Sequence, residues 1–255
     1  MKQMLLTPAA GKRLIGKAVA AHSDIKRALA NGTLVIIAGT TNSYIAAEIL
    51  LQIGEIDSFN PKRFFRGVTL PPGYQVTKSG RILDESGFPG DVIIQNGHWL
   101  KGKTVNDVAA ELKEGDIILK GANALDLTRR RAAILIGNAN GGTIMPILQA
   151  LIGRRVRLII PIGLEKRIAG DLDALAAKIN AAGAAGYRLF PAPGEVFTEI
   201  EALSLLTGAA SELFAAGGIS GAEGAVWLAI SGTPEQEEVA QKIIDSVARE
   251  PAFIY

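Results

Sequence analysis

Residues 34–43 read Leu34-Val35-Ile36-Ile37-Ala38-Gly39-Thr40-Thr41-Asn42-Ser43, an unbroken apolar run that ends in a cluster of small polar residues. A segment with helical patterning, residues 44–51, follows directly. Because the run is apolar on both faces, it predicts a buried parallel strand whose turn leads into a helix N-terminus. Free backbone N–H groups and the positive end of a helix dipole meet at such a turn, and both suit an anion.

Two interpretations of this turn stay open at the level of sequence. In the functional one, an anion is bound by Gly39, Thr40, Thr41, Asn42 and Ser43. In the structural one, the same residues form a tight strand-to-helix connection that an Asn or Ser side chain caps. The two weigh about equally, because capping and anion binding use the same residue types.

The composition excludes several classes of protein. A chain of 255 residues can bury a sizeable core, and a net charge of +2 is too small for a duplex-binding protein, so we expect no nucleic-acid partner. The absence of cysteine excludes disulfides and thiolate chemistry and suits a cytoplasmic location. His22 and His98 are the only histidines, so no metal site is predicted. No apolar window is long enough to span a membrane, and the composition leaves self-association into a homo-oligomer open.

Strands and helices are predicted to alternate along most of the chain. After a helical segment at residues 9–30 and the opening strand, strands are expected at Asp91–Gln95, Asp116–Lys120, Ala132–Gly137 and Val156–Ile162, with helices at about 104–113, 141–153 and 163–183. This alternation predicts an α/β fold of three layers, a parallel sheet with helices on both faces. Right-handed crossovers then place the strand-to-helix turns at one edge, where ligands bind in open α/β sheets.

Two segments depart from this rhythm. Residues 54–90 are rich in Pro, Gly, Phe and Arg and are interpreted as an insertion in an α/β domain of residues 1–190. Residues 191–255 are interpreted as a smaller C-terminal α+β unit of β-α-β-α order. In it, Glu195–Leu206 precedes a helix near 207–216, a strand at Ala225–Ser231 and a helix at Pro234–Val247.

Two further turns join the predicted ligand edge. Lys120, Asn123 and Asp126 follow the third strand beside a glycine, and together they could hold a phosphate and a sugar hydroxyl. The alternative is a solvated strand end closed by its Asn and Asp side chains. Gly141, Gly142 and Thr143 open a helix where a ligand could approach the backbone, although they match neither a Walker loop nor the dinucleotide fingerprint.

Carboxylates that could transfer a proton are few. Glu165 and Lys166 follow a strand, where their charges would complement a helix dipole more readily than act in catalysis. Glu223 lies in a loop with four glycines and is the best isolated carboxylate for a nucleophile or base, although such loops are usually plain turns. The basic run 129–131 is expected on a solvated face.

These motifs resemble the sugar-phosphate isomerase and CoA-transferase superfamily, which includes ribose-5-phosphate isomerase and glucosamine-6-phosphate deaminase. Residues 39–43 are similar to its Gly-Thr-Gly-Ser-Thr phosphate loop, and residues 120–126 partly match its Asp-Gly-Ala-Asp-Glu-Val-Asp strand end. The resemblance covers roughly residues 10–170 and implies a phosphorylated substrate. The acidic positions of that strand end are here Lys120, Asn123 and Ala124, and Asp126 alone is kept.

Two functions remain open from the sequence. One is an isomerase-like or transferase-like enzyme that acts on a phosphorylated or otherwise anionic small metabolite, with Asp126 or Glu223 transferring the proton. The other is a non-catalytic ligand sensor or assembly protein, which the asparagine at position 123 favours because an amide cannot act as a base. No cofactor is indicated by any motif.

Overall fold

The computed structural model describes residues 1–67, 69–78 and 80–254. Val68 and Ser79, inside the predicted insertion, and Tyr255, at the end of the predicted C-terminal unit, lie outside the described residues. The described chain forms a mixed α/β fold with eight α-helices: α1 (Pro8–Ala21), α2 (Ser23–Asn31), α3 (Thr40–Gln52), α4 (Val105–Val108), α5 (Ile144–Arg154), α6 (Leu172–Ile179), α7 (Glu199–Thr207) and α8 (Pro234–Val247).

A six-stranded sheet forms the centre of the molecule. Its strands are β2 (Thr33–Ile36), β3 (Val92–Gln95), β4 (His98–Trp99), β5 (Ile117–Leu119), β8 (Arg157–Pro161) and β10 (Glu195–Phe197). Their order across the sheet is β10-β8-β5-β2-β3-β4. The opening strand β2 is buried along its whole length between β5 and β3, as its apolar sequence predicts.

The central sheet is mixed, so the prediction of a parallel sheet holds for part of it. Strands β10, β8, β5 and β2 are parallel, whereas β3 runs antiparallel to β2 with Val92 opposite Ile36. The reason is the insertion, which returns the chain to the edge where β2 ends, so the next strand starts there and runs back. β4 then pairs antiparallel with β3 through Asn96 and Gly97, whose positive φ angles of 48° and 83° suit a two-residue hairpin turn.

A second, three-stranded sheet contains β6 (Ala124–Asp126), β7 (Arg131–Ile136) and β9 (Arg188–Ala192) in the order β6-β7-β9, all antiparallel. The strand predicted at Ala132–Gly137 is therefore present but belongs to this sheet. The helix predicted at about 141–153 is confirmed by α5. The other two helices are much shorter than predicted, because a turn at residues 109–111 follows α4, and a 3-10 turn at Leu164–Lys166 and a bend at Gly170 precede α6.

The third sheet joins the two ends of the chain. β1 (Lys2–Leu6) and β11 (Ala210–Ala216) both pair antiparallel with β12 (Val226–Ser231). The prediction of a helix near 207–216 was wrong, since most of this segment forms strand β11. The segment Glu195–Leu206 contains β10 followed by α7. The helix predicted at Pro234–Val247 is confirmed by α8, whose capping Thr233 accepts from the N–H of Gln236.

Helix α1 lies at the centre of the helical packing, in contact with α3, α7 and α8. Its apolar residues Leu14 and Ile15 are fully buried, and each such side chain contributes about 1.5–3 kcal/mol. Gly16 permits the close approach of α3, because a Cβ there would lie 3.1 Å from the Tyr44 carbonyl oxygen. No helix within residues 1–67, 69–78 and 80–254 is both long and apolar enough to cross a membrane.

Candidate functional site

A cleft of about 550 Å³ opens at the carboxyl edge of β2 and β5. Three of the turns singled out by sequence meet there: the turn after β2, the residues after β5, and the turn between β7 and α5. The insertion closes one side. The predicted ligand residues that line the cleft are Gly39, Thr40, Thr41, Asn42, Lys120, Asn123, Gly141, Gly142 and Thr143.

The turn after β2 is a strand-to-helix connection, but the predicted Asn or Ser cap is absent, because the residue before α3 is Gly39 and no side chain caps the helix. Helix α3 begins at Thr40, so the N–H groups of its first residues have no partner inside the helix and face the cleft. The Asn42 side chain is structural, because its Nδ2 donates to the carbonyls of Ile37 at 2.8 Å and Leu119 at 3.0 Å. Ser43 is buried away from the cleft and donates from its Oγ to the Thr40 carbonyl at 2.7 Å. With Asn42 and Ser43 engaged in these contacts, the backbone of the turn and the residues Thr40 and Thr41 remain at the cleft.

The second helix N-terminus at the cleft belongs to α5. Gly141 and Gly142 precede it with φ angles of 79° and 65°, a conformation that glycine adopts without strain. Thr143 follows as the residue before the helix, and its side chain makes no capping hydrogen bond. Its Oγ1 instead accepts a hydrogen bond from the Nζ of Lys120 at 3.0 Å. Two helix dipoles therefore direct their positive ends at the same space.

Lys120 lies half-buried at the floor of the cleft, where β5 ends. Burial lowers the pKa of its ammonium to about 8; the nearby Asp91 carboxylate opposes this shift, and the Arg66 guanidinium adds to it. The lysine therefore loses its proton far more readily than a surface lysine.

Asp91, directly before β3, joins several segments around the cleft through its side chain, and this role was not predicted from the sequence. Its carboxylate is fully buried and accepts hydrogen bonds from the N–H groups of Ala38 at 3.0 Å and Val105 at 2.8 Å. Arg66, from the insertion, donates to it at 2.8 Å and stacks its guanidinium 4.7 Å from the centre of the Phe88 ring. An aspartate directly before an apolar strand was the available signal in the sequence.

A buried cluster of charges lies behind Lys166, which lines the cleft and donates from its Nζ to the Ala122 carbonyl at 2.9 Å. Lys12 pairs with Glu165 at 2.9 Å. Glu199, 1% exposed, accepts a hydrogen bond from the N–H of Leu164 at 2.9 Å.

The pKa values of Glu199 and Lys166 in this cluster differ from the usual values of these side chains. Burial raises the pKa of Glu199 to about 7, and the neighbouring Glu165 carboxylate acts in the same direction. Burial lowers the pKa of Lys166, with Lys12 acting in the same direction and Glu165 and Glu199 opposing. The sequence offered no signal for Glu199, which reads there as an ordinary acid in the first turn of a helix.

The two carboxylates selected from the sequence lie elsewhere. Asp126 is buried outside the cleft lining, and its carboxylate accepts from the backbone N–H of Arg129 at 3.0 Å and pairs with the guanidinium of Arg129 at 3.2 Å. Glu223 lies in the exposed loop between β11 and β12 and accepts from the N–H of Gly221 at 2.8 Å. Asn123 lines the cleft, but its Oδ1 already accepts from the N–H of Leu135 at 3.0 Å.

The charges on the cleft wall have one sign. Among the described residues, the charged side chains that line it are Arg66, Arg81, Lys120 and Lys166, and no carboxylate joins them. Arg81, like Arg66, comes from the insertion and pairs with Glu85. The described part of the chain also contains no cluster of three or more His, Asp or Glu residues able to hold a metal ion.

Comparisons with known proteins add no further constraint. No protein-family model, no curated protein and no solved structure matches this chain. The site is therefore characterised by its own geometry and charges.

Proposed function

We propose that this protein binds a phosphorylated or otherwise anionic small metabolite in the cleft at the carboxyl edge of the central sheet. The observation that carries the proposal is the charge of the wall, four cationic side chains and no carboxylate among the described lining residues. An anion entering this space is attracted by these cations, of which Arg66 and Arg81 are already paired with Asp91 and Glu85, and it meets no carboxylate among the described lining residues.

The backbone supports the same ligand class. Helices α3 and α5 both begin at the cleft, and free N–H groups at a helix N-terminus bind phosphate and carboxylate oxygens. The volume of about 550 Å³ suits a small metabolite and not a macromolecule. The resemblance of residues 39–43 to the phosphate loop of sugar-phosphate isomerases favours a phosphate over a carboxylate, and membership of that superfamily is part of the proposal.

A non-catalytic ligand sensor is the second candidate, and a specific observation favours it. Asp126 is paired with Arg129, and Glu223 lies in the loop between β11 and β12, so neither of the carboxylates expected to transfer a proton lines the cleft. A base must reach its proton within hydrogen-bonding distance. A sensor requires only the anion site.

Thermal unfolding in the presence of anions tests the proposal. Inorganic phosphate, ribose 5-phosphate, a nucleoside diphosphate and a CoA ester would each be titrated at constant ionic strength, with chloride as the reference. Binding raises stability by mass action, by about 2.7 kcal/mol when the ligand reaches a hundred times its Kd. We expect a saturable rise of Tm with at least one phosphorylated compound.

Two lysine variants test whether the phosphate-induced rise of Tm comes from binding in the cleft. Lys166→Met removes a cation from the wall and should weaken the phosphate-induced shift, whereas Lys178→Met removes an exposed lysine of α6 outside the cleft and should leave it unchanged. No Tm rise with any anion, or an equal rise in both variants, would overturn the proposal.

A further inference from the structure

Lys120 differs from the arginines of the cleft in its partners. Arg66 pairs with the buried Asp91 and Arg81 pairs with Glu85, so both guanidinium groups already face a carboxylate. Lys120 has no carboxylate oxygen within 4.0 Å among the described residues. The one hydrogen-bond partner of its Nζ among the described residues is a hydroxyl group, the Oγ1 of Thr143.

Lys120 also differs from the second lysine of the cleft. The Nζ of Lys166 donates to a backbone carbonyl and lies beside the carboxylates of Glu165 and Glu199, which stabilise its charged form. A hydroxyl can accept a hydrogen bond from an ammonium group or donate one to a neutral amine, whereas a carbonyl can only accept. Thr143 therefore suits both protonation states of Lys120.

The surroundings of Lys120 give it a larger neutral fraction than a surface lysine has. Burial lowers the pKa of Lys120 most, and the Arg66 guanidinium adds to this, whereas the Asp91 carboxylate opposes it. The positive ends of α3 and α5 at the cleft also disfavour a further positive charge. A lysine that is desolvated or lies beside another cation is an activated nucleophile towards carbonyl compounds.

We propose that the Nζ of Lys120 is a nucleophile that forms an imine with a phosphorylated aldehyde or ketone, whose phosphate lies at the helix N-termini of the cleft. This inference rests on the proposed anion site and extends it by naming the substrate class. It also gives the cleft a reactive group in the absence of Asp126 and Glu223 from its wall.

The reaction balances without a cofactor. The lone pair of the neutral Nζ attacks the carbonyl carbon, and the electrons of the C=O π bond move to the oxygen. A proton passes from nitrogen to that oxygen, for which the Thr143 hydroxyl is in hydrogen-bonding contact with the nitrogen. The carbinolamine then loses water, so that one amine and one carbonyl yield one imine and one water molecule.

Reductive trapping with pyridoxal phosphate tests the inference, because this probe carries both an aldehyde and a phosphate. The full chain would be incubated with the probe, reduced with borohydride and mapped by mass spectrometry of its peptides. We expect Lys120 to be labelled at least about tenfold faster than exposed lysines such as Lys178, since a larger fraction of its amine is neutral. Inorganic phosphate should suppress the labelling, and pyridoxal, which lacks the phosphate, should label Lys120 far more slowly.

The controls separate this inference from the anion site. Lys120→Arg keeps the positive charge but should no longer be labelled at position 120. Lys178→Arg should still be labelled at Lys120. A phosphate-induced rise of Tm without labelling of Lys120 in the wild-type protein would overturn the imine and leave the anion site standing. Labelling that is fastest on Lys166 would overturn the choice of Lys120. Equal rates with pyridoxal and pyridoxal phosphate would overturn the phosphorylated substrate class.

Discussion

The Nη2 of Arg66 donates a hydrogen bond to the Oδ2 of Asp91 at 2.8 Å, and this contact fixes the insertion to the edge of the central sheet. The same carboxylate accepts from the backbone of Ala38, next to the turn after β2, and from the backbone of Val105 in α4. One buried side chain thus holds three segments that are distant in sequence, and it holds an arginine at the wall of the cleft.

Asp91→Asn should lower the free energy of unfolding by roughly 3 kcal/mol, because removal of one partner from a buried ion pair leaves the other charge uncompensated. The asparagine oxygen can replace one acceptor but cannot balance the Arg66 guanidinium, which is largely buried. Urea unfolding at neutral pH measures the change.

Asp84→Asn is the matched control for this prediction. Asp84 also pairs with an arginine of the insertion, Arg63, but its side chain is exposed, so its replacement should leave the urea midpoint unchanged. Equal losses of unfolding free energy in the two variants would show that the buried pair with Arg66 contributes no more to stability than the exposed pair with Arg63.

Asn42→Ala should destabilise the protein by roughly 2 kcal/mol, because two buried carbonyl oxygens lose their shared donor. These carbonyls belong to Ile37 and Leu119, at the ends of the adjacent strands β2 and β5, so Asn42 ties the two strands together where the cleft begins. Asn106→Ala is the comparison, since Asn106 is exposed on the cleft wall. Thermal or urea unfolding that does not distinguish the two variants would contradict this structural role.

Local patterns explain how much of the sheet could be predicted. The apolar run that ends at Ile37 is buried on both faces, and burial on both faces follows from composition alone. The direction of β3 does not follow from composition, because it depends on the path of the insertion between α3 and β3. No periodicity within Val92–Gln95 distinguishes a parallel strand from an antiparallel one.

Strand β11 shows where local preference fails. Ala210–Ala216 contains three alanines and a leucine, a composition that favours a helix. The segment nevertheless pairs with β12, whose other neighbour, β1, comes from the opposite end of the chain. The strand conformation of this segment is thus selected by pairing with β12, beyond the following loop, which the composition of the segment itself does not reveal.

The site was predictable to the extent that strand ends meet at one edge. Lys120 was expected at the carboxyl end of a strand and Thr143 in a glycine turn that opens a helix, and in the structure the Nζ of Lys120 lies 3.0 Å from the Oγ1 of Thr143. Arg66 and Glu199 reach the region through tertiary packing, so no spacing in the sequence relates them to it. Asp126 looked like a site residue, but its carboxylate is held by the backbone and guanidinium of Arg129, three positions along the chain.

The rate of imine trapping at Lys120 should rise with pH with a midpoint near 8. Because burial lowers the pKa of this lysine below its unfolded value of about 10.4, its neutral fraction increases as pH rises through the folded value. Initial labelling rates of Lys120 and, separately, of the exposed Lys178 between about pH 6 and about pH 10 measure the two midpoints. A midpoint near that of Lys178 would show that Lys120 is an ordinary ammonium group.

Glu199→Gln should change the pH dependence of stability. Burial beside Glu165 raises the pKa of Glu199 to about 7, above an unfolded value of about 4.3, so the stabilisation from its neutral form is complete below about pH 4 and is lost as pH rises through about 7. Glutamine stays neutral and can still accept the hydrogen bond from Leu164. As pH rises from about 4 to about 8, the free energy of unfolding of the wild type, measured with urea, should therefore fall by up to about 3 kcal/mol relative to that of the variant.

Glu201, on the same helix, is the matched control with the opposite sign. Burial raises the pKa of Glu201, but hydrogen bonds from Arg130 and Thr198 lower it by more, so its net pKa lies below the usual value. Its ionised form stabilises the fold above the unfolded pKa, and this contribution disappears as pH falls through the folded one. Glu201→Gln should therefore be less stable than the wild type at neutral pH, with a difference that narrows in acid. If both variants follow the wild-type curve in parallel, neither carboxylate has the displaced proton affinity that its surroundings imply.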